Sequence, residues 1–145
     1  MALLLRFPSG VGKISEFITK DMINDNKGRV LYTALTEYFN AREERTIEAF
    51  LAQDVEVLKE IRDYIDEIFM VDVPDNDDDL KREFFTTALH LKRQWLKSAI
   101  VDSMRAMKQA QFSGDAHEVA RFSAQISELI EQSRKIESTS TPFSL

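Results

Sequence analysis

The apolar residues of this chain recur at helical spacing in almost every segment, and no segment shows the alternation of a strand. One wide stripe, spaced three and four residues apart, runs from Val30 to Phe39. A second stripe has the spacing of a buried helix face: Leu58, Ile61, Ile65 and Ile68. Pro8 ends the opening apolar run, and Asp54 is placed to cap the helix that carries the second stripe. The pattern predicts a compact bundle of helices up to about Met70.

The next segment predicts one long helix. From Leu80 to about Gln111 there is no Gly and no Pro, so we expect a helix from about Asp79 to about Gln111. Its first half is apolar on two faces, and Trp95 lies on one of them, which predicts that Trp95 anchors the helix in the bundle. Its second half has one narrow stripe: Ile100, Met104, Met107 and Gln111.

The segment after the long helix predicts a second helix, and the two helices together predict a hairpin. Gly114 is placed to end the long helix, and Asp115-x-x-Glu118 is an opening of the capping-box type. The last helix has a heptad-like stripe: Val119, Phe122, Ile126, Leu129, Ser133 and Ile136. The sequence thus predicts an all-α fold in three parts: a bundle over 1–99, a hairpin over 100–137, and a frayed tail over 138–145.

Composition narrows the function classes. The 145 residues include no Cys, which excludes a disulfide scaffold, a thiolate metal site and a Cys nucleophile. Four Gly and three Pro are too few for a sandwich or barrel of many short strands. No apolar run approaches the ~20 residues of a membrane span, and the opening run lacks the features of a signal peptide. We therefore expect a cytoplasmic protein without a membrane partner.

Charge is distributed unevenly along the chain. The net charge is −6, yet residues 37–79 carry 15 acids against 4 bases, and residues 81–108 carry 7 bases against 2 acids. The long helix contributes the cations Lys92, Arg93, Lys97, Arg105 and Lys108. Such a segment can contact phosphate, dock on an acidic protein surface, or remain solvated. An acidic chain favours a protein partner, and we do not expect nucleic-acid contact through this domain.

The sequence motifs that would indicate phosphate binding or metal binding are incomplete. Ser9–Lys13 imitates a phosphate-binding loop but has Phe7 and Ile14 where Gly and Ser or Thr belong, which predicts a helix–helix turn instead. The run Asp75–Asp79 lacks the Gly and Glu of a calcium loop. His90 and His117 lack the Glu-x-x-His partner of helical metal sites. We therefore predict no catalytic residues, no metal, no cofactor and no small-molecule substrate.

The hairpin carries the most specific functional signal. Two helices enclose little interior, so part of their apolar surface stays uncovered and is available for docking. The candidate partner-binding residues are Phe112, Phe122, Ile126, Leu129, Ile130 and Arg134. Of these, we expect Phe112 at the hairpin tip and Ile130 and Arg134 at the rim, with the others packed on the long helix.

Three stretches of the first part of the chain follow the pattern of one known family: the opening run Ala2–Pro8, the segment Ile23–Tyr38 and the short Ala49–Asp54. They are similar to successive parts of the bundle in the C-terminal helicase-interaction domain of bacterial DNA primase, which the chain resembles over nearly its whole length. The family's closing hairpin is matched by Leu89–Leu96, Ala110–Asp115, Ile126-x-x-Leu129 and Arg134-Lys135. The N-terminal domain of the replicative helicase shares the bundle pattern, but the Gly-Asp hairpin favours the primase.

The resemblance implies a non-catalytic adaptor of DNA replication. The parent protein would be a primase, a DNA-directed RNA polymerase whose zinc motif and catalytic core lie elsewhere. In that family the domain docks primase onto the hexameric replicative helicase in the primosome, stimulates primer synthesis and modulates the helicase. Two alternatives remain open from the residues: a helical nucleic-acid-binding regulator, and the N-terminal domain of a replicative helicase.

Overall fold

The computed structural model describes residues 1–40 and 45–138, and over these residues the chain is all-α without a strand. The predicted fold class is therefore confirmed. The chain forms two compact units, one spanning Met1–Ala88 and the other beginning at Leu89. The boundary that the sequence predicts, at 99/100, lies further along the same helix. The predicted tail lies outside the described residues from 139 onward.

The described part of the first unit contains six helices and the start of a seventh. Their bounds are α1 (Ala2–Arg6), α2 (Val11–Phe17), α3 (Asn26–Asn40), α4 (Ile47–Leu51), α5 (Glu56–Glu60), α6 (Arg62–Phe69) and α7 (Asp77–Ser113). Short 3-10 turns at Pro8–Gly10 and Lys20–Met22 join the first three helices. In the second unit α7 is followed by α8 (Ala116–Ser138).

The core of the first unit includes the apolar stripes that the sequence predicts, and also Val11, which belongs to no predicted stripe. Leu31 and Leu35 of α3 are fully buried, as are Val11, Phe50 and Ile65. Burying one such side chain stabilises the fold by roughly 1.5–3 kcal/mol. The predicted stripe of α5 and α6 is buried in full: Leu58, Ile61, Ile65 and Ile68. Apolar spacing thus predicts the core correctly.

The prediction of one helix after Asp54 is wrong, because two helices carry this stripe. Ile61, at φ −108° and ψ 16°, separates α5 from α6. Asp54 does not cap α5, which begins after Val55 without a side-chain cap; its carboxylate instead lies 2.7 Å from Lys59 Nζ. Both segments keep their apolar residues inward, so the spacing pattern does not reveal a single non-helical residue between them.

The predicted helix–helix turn lies between α1 and α2, but it is formed by Pro8–Gly10, while Val11–Lys13 already belong to α2. A Cβ at Gly10 would lie 2.6 Å from Cδ1 of Phe7, so only glycine allows this close approach. The Phe7 ring in turn meets Phe84 of α7 edge-on, with centroids 5.4 Å apart. The glycine therefore serves packing.

The first turn of α3 is tied to α6 by a carboxylate. Asp25 Oδ2 accepts a hydrogen bond of 2.6 Å from the Gly28 N–H, and the Asp25 carboxylate accepts another from the Tyr64 hydroxyl. These two bonds, the tyrosine's first, lower the pKa of Asp25. Burial, and then the bond to Asp25, raise the pKa of Tyr64 to about 12.

The long helix α7 has 37 residues and is about 55 Å long at 1.5 Å per residue. The acidic run forms its first turn: Asn76 Oδ1 accepts from the Asp79 N–H at 2.9 Å, and acids at this end favour the helix dipole. Trp95 lies in the second unit and is only partly buried, which differs from the predicted anchoring in the bundle. The neighbouring Leu96 is fully buried instead.

Candidate protein-docking surface

The hairpin of the second unit is closed by only two residues between α7 and α8. Gly114 adopts φ +72°, a left-handed conformation that favours glycine. Its N–H donates to the Gln111 carbonyl at 3.2 Å and the Asp115 N–H donates to the Ala110 carbonyl at 3.0 Å, which is the Schellman pattern. Asp115 Oδ1 then accepts from the Glu118 N–H at 3.0 Å and caps α8. The predicted cap of α8 is confirmed for its aspartate.

The inner face of α8 is the predicted one. Leu129 and Ile136 are buried, and Val119, Phe122 and Ile126 are partly buried. This stripe gives the second unit its interior, together with the inner face of α7.

The inner face of α7 differs from the prediction. Its buried residues are Leu96 and the small Ser103 and Ala110. Ile100 and Met107 of the predicted stripe are partly buried, whereas Met104 and Gln111 are exposed. Ala99 and Ala106 are partly buried and complete a repeat of three and four residues with Ser103 and Ala110. Small side chains on this face leave room for the larger residues of α8.

The six candidate residues divide into two groups. Phe122, Ile126 and Leu129 lie on the inner face of α8 and pack within the hairpin. Phe112 is 93% exposed, Ile130 is 37% exposed, and Arg134 is exposed. The outward placement expected for these three residues is therefore what the structure shows.

Sequence reasoning missed two further exposed apolar residues on α7. Val101 is 53% and Met104 is 46% exposed, and with Phe112 they are spaced along one side of the helix. Val101 also lines a shallow groove of about 300 Å³ with Lys97, Ser98 and Asp102. The repeat of small residues in α7 could have revealed them. If Ser103 and Ala110 of this repeat face α8, then Val101 and Met104 must lie on the outer side of the helix.

The five cations of the basic segment do not share one face. Lys92 is partly buried with its Nζ 5.7 Å from the centroid of the Trp95 ring, and desolvation lowers its pKa. Arg105 forms an ion pair of 3.1 Å with Asp102. Arg93, Lys97 and Lys108 are exposed. A continuous phosphate-binding track is therefore not formed by all five.

A cluster of metal-ligating side chains is not observed in the described part of the chain. Over residues 1–40 and 45–138, no three side chains of the His, Cys, Asp and Glu type gather to hold a metal ion. His90 and His117 are both exposed. Within the same ranges, no helix is long and apolar enough to cross a bilayer.

The described part of the hairpin has a surface of exposed apolar and basic side chains. A surface of this kind is suited to protein recognition. Comparison of the chain with protein-family models, curated proteins and solved structures finds no match.

Proposed function

We propose that this chain is the non-catalytic docking domain of a bacterial DNA primase, and that its hairpin binds the hexameric replicative helicase in the cytoplasm. Docking would recruit primase to the replication fork and modulate both the helicase and primer synthesis. The observation that carries the proposal is the 93% exposed Phe112 at the hairpin tip. The identity of the partner rests on the resemblance of the sequence to that primase domain.

An exposed phenylalanine supports docking for a physical reason. An aromatic side chain can bury roughly 150–250 Å² of surface, and a few such residues usually dominate the affinity of an interface. Phe112 contributes almost none of this area to the fold, while Ile130 and Arg134 are also exposed. The surface is thus available to a partner without any rearrangement of the hairpin.

The proposed mechanism is tethering. A small interface of this kind is usually transient, so one contact alone holds the partner briefly. A hexameric helicase offers equivalent sites, and several bound primases would raise the local concentration of the catalytic domain at the fork.

The experiment that tests this function measures affinity for the replicative helicase of the same organism. We expect Phe112→Ala, or Ile130→Asp, to weaken binding by more than tenfold, or about 1.4 kcal/mol. Met70→Ala is the matched control, because Met70 is 89% exposed but lies in the first unit. Circular dichroism should show an unchanged fold for all three variants. Unchanged affinity of both hairpin variants would refute the proposal.

A further inference from the structure

The outer face of α7 is an unpartnered surface of mixed character. Positions 97, 101, 104, 108 and 112 follow one another at intervals of three and four residues, so they share one side of the helix. Ser103 and Ala110, which are buried, lie on the opposite side. This outer face, defined by Lys97, Val101, Met104, Lys108 and Phe112, extends for about 22 Å at 1.5 Å per residue.

The charges around this face are nearly all positive. Among the described residues neither Lys97 nor Lys108 forms an ion pair. Arg105 borders the face and pairs with Asp102, which is the one acid between Leu89 and Ser113. The acids of α8 belong to the other helix of the hairpin. Two free cations therefore share this face with the exposed apolar side chains and alternate with them along the helix.

We infer that the outer face of α7 binds an amphipathic helix of the partner, one whose apolar stripe is flanked by Asp and Glu. The inference rests on the proposed docking function and adds the outer face of α7, which includes Phe112, to its contact surface. Val101, Met104 and Phe112 would bury their exposed area against the stripe, and Lys97 and Lys108 would meet the acids beside it. Charge complementarity of this kind sets orientation and the rate of association. A length of about 22 Å matches four turns of a partner helix.

Two other occupants fit the face less well. A nucleic acid would neutralise the cations but would leave Val101, Met104 and Phe112 without apolar contacts. A second copy related by a two-fold axis would place this basic face against itself, and like charges across an interface are unfavourable.

The test compares Lys→Glu variants on the outer face of α7 with a Lys→Glu variant elsewhere, so that each single variant changes the net charge of the chain by the same amount. Full-length chain is titrated into the helicase hexamer at about 50 mM and about 300 mM salt. We expect Lys108→Glu to weaken binding at least fivefold at low salt, and Lys97→Glu/Lys108→Glu at least twentyfold, mainly through slower association. Lys20→Glu, on the exposed surface of the first unit, is the matched control and should change affinity by less than about twofold. The difference between wild type and the double variant should shrink at high salt.

Each outcome decides a different claim. If the wild type binds the helicase and the double variant binds equally well, the outer face of α7 is not the contact, while the docking function stands. If the wild type does not bind, both proposals fail. Binding of duplex or single-stranded DNA, or a dimer seen by light scattering, that is lost in Lys97→Glu/Lys108→Glu would assign the face to another occupant and overturn the inference.

Discussion

Gly28 shows how one residue holds two helices of the first unit together. A Cβ at this position would lie 2.9 Å from the Tyr64 hydroxyl and 3.0 Å from Asp25 Oδ2, closer than atoms normally approach. We expect Gly28→Ala to lower the free energy of unfolding by about 1–3 kcal/mol, because the Asp25–Tyr64 contact must shift.

Urea denaturation followed by circular dichroism measures this change. Gly12→Ala is the control, since Gly12 lies in α2, where an added Cβ would have its nearest neighbour 3.8 Å away, and Ala is the better helix former. It should raise the stability by about 0.5–1 kcal/mol. Equal effects of the two substitutions would show that Gly28 is not sterically constrained.

Tyr64 makes the stability of the first unit sensitive to alkaline pH. Its pKa is raised to about 12 in the folded chain, against about 10 when unfolded. The stability that the neutral Tyr64 side chain contributes to the fold is therefore fully present below about pH 10 and is lost as the pH rises towards 12. The pH dependence of Asp25 is opposite. Because its pKa is lowered in the folded chain, the stability that it contributes is present above about pH 4 and is lost on acidification.

Tyr64→Phe separates these effects. In urea titrations between about pH 10 and pH 12, the free energy of unfolding of the variant should fall less than that of the wild type. The reason is that the variant lacks one tyrosine whose pKa is raised by folding. Tyr32 donates to the Ile18 carbonyl at 2.6 Å, burial raises its pKa to about 12, and it remains in both proteins. Identical alkaline losses would contradict the role of Tyr64.

Sequence spacing predicts which residues are buried better than which residues meet. Leu35 and Ile65 were expected in the core from their period alone, and both are there. The bond between Asp25 and Tyr64 was not predicted, because it depends on how α6 packs on the start of α3. A pattern within one helix carries no information about such a contact.

At the scale of elements, the inner face of α7 depends on small side chains. Ala110 is 7% exposed and lies at the end of the hairpin that the Schellman turn closes. We expect Ala110→Leu to destabilise the hairpin by about 1–3 kcal/mol, because the added atoms have no space. Ala120→Leu is the control, since Ala120 is exposed on α8 and Leu is also a good helix former.

Thermal unfolding and hydrogen exchange of α8 amides would measure the effect. Equal melting temperatures of the two variants would mean that Ala110 does not set the distance between the helices. The sequence could predict α8 because its inner residues are large and apolar. It could not predict the inner face of α7, where small residues such as Ser103 do not stand out as an apolar stripe.

At the scale of the whole molecule, the division into two units predicts separable roles. Removing the residues after Lys108 takes away Phe112, the turn and α8, whereas the first unit keeps all residues of its own core. We expect the truncated chain to lose helicase binding and to retain cooperative unfolding of the first unit.

Affinity measurements and urea denaturation of the truncated chain check both expectations, with the full-length chain as reference. Retained helicase binding would move the contact to the first unit. Loss of the cooperative transition would show that the first unit needs the hairpin in order to fold.

The Schellman turn at Gly114 also has a consequence for how fast each unit assembles. Because two residues join α7 to α8, the contacts of the hairpin next to the turn are local in sequence, and chains that fold from such contacts cross a low entropic barrier. The first unit must instead bring Phe7 to Phe84, near its opposite ends. When the whole chain refolds from denaturant, the hairpin should therefore form on a microsecond to millisecond scale, ahead of the first unit.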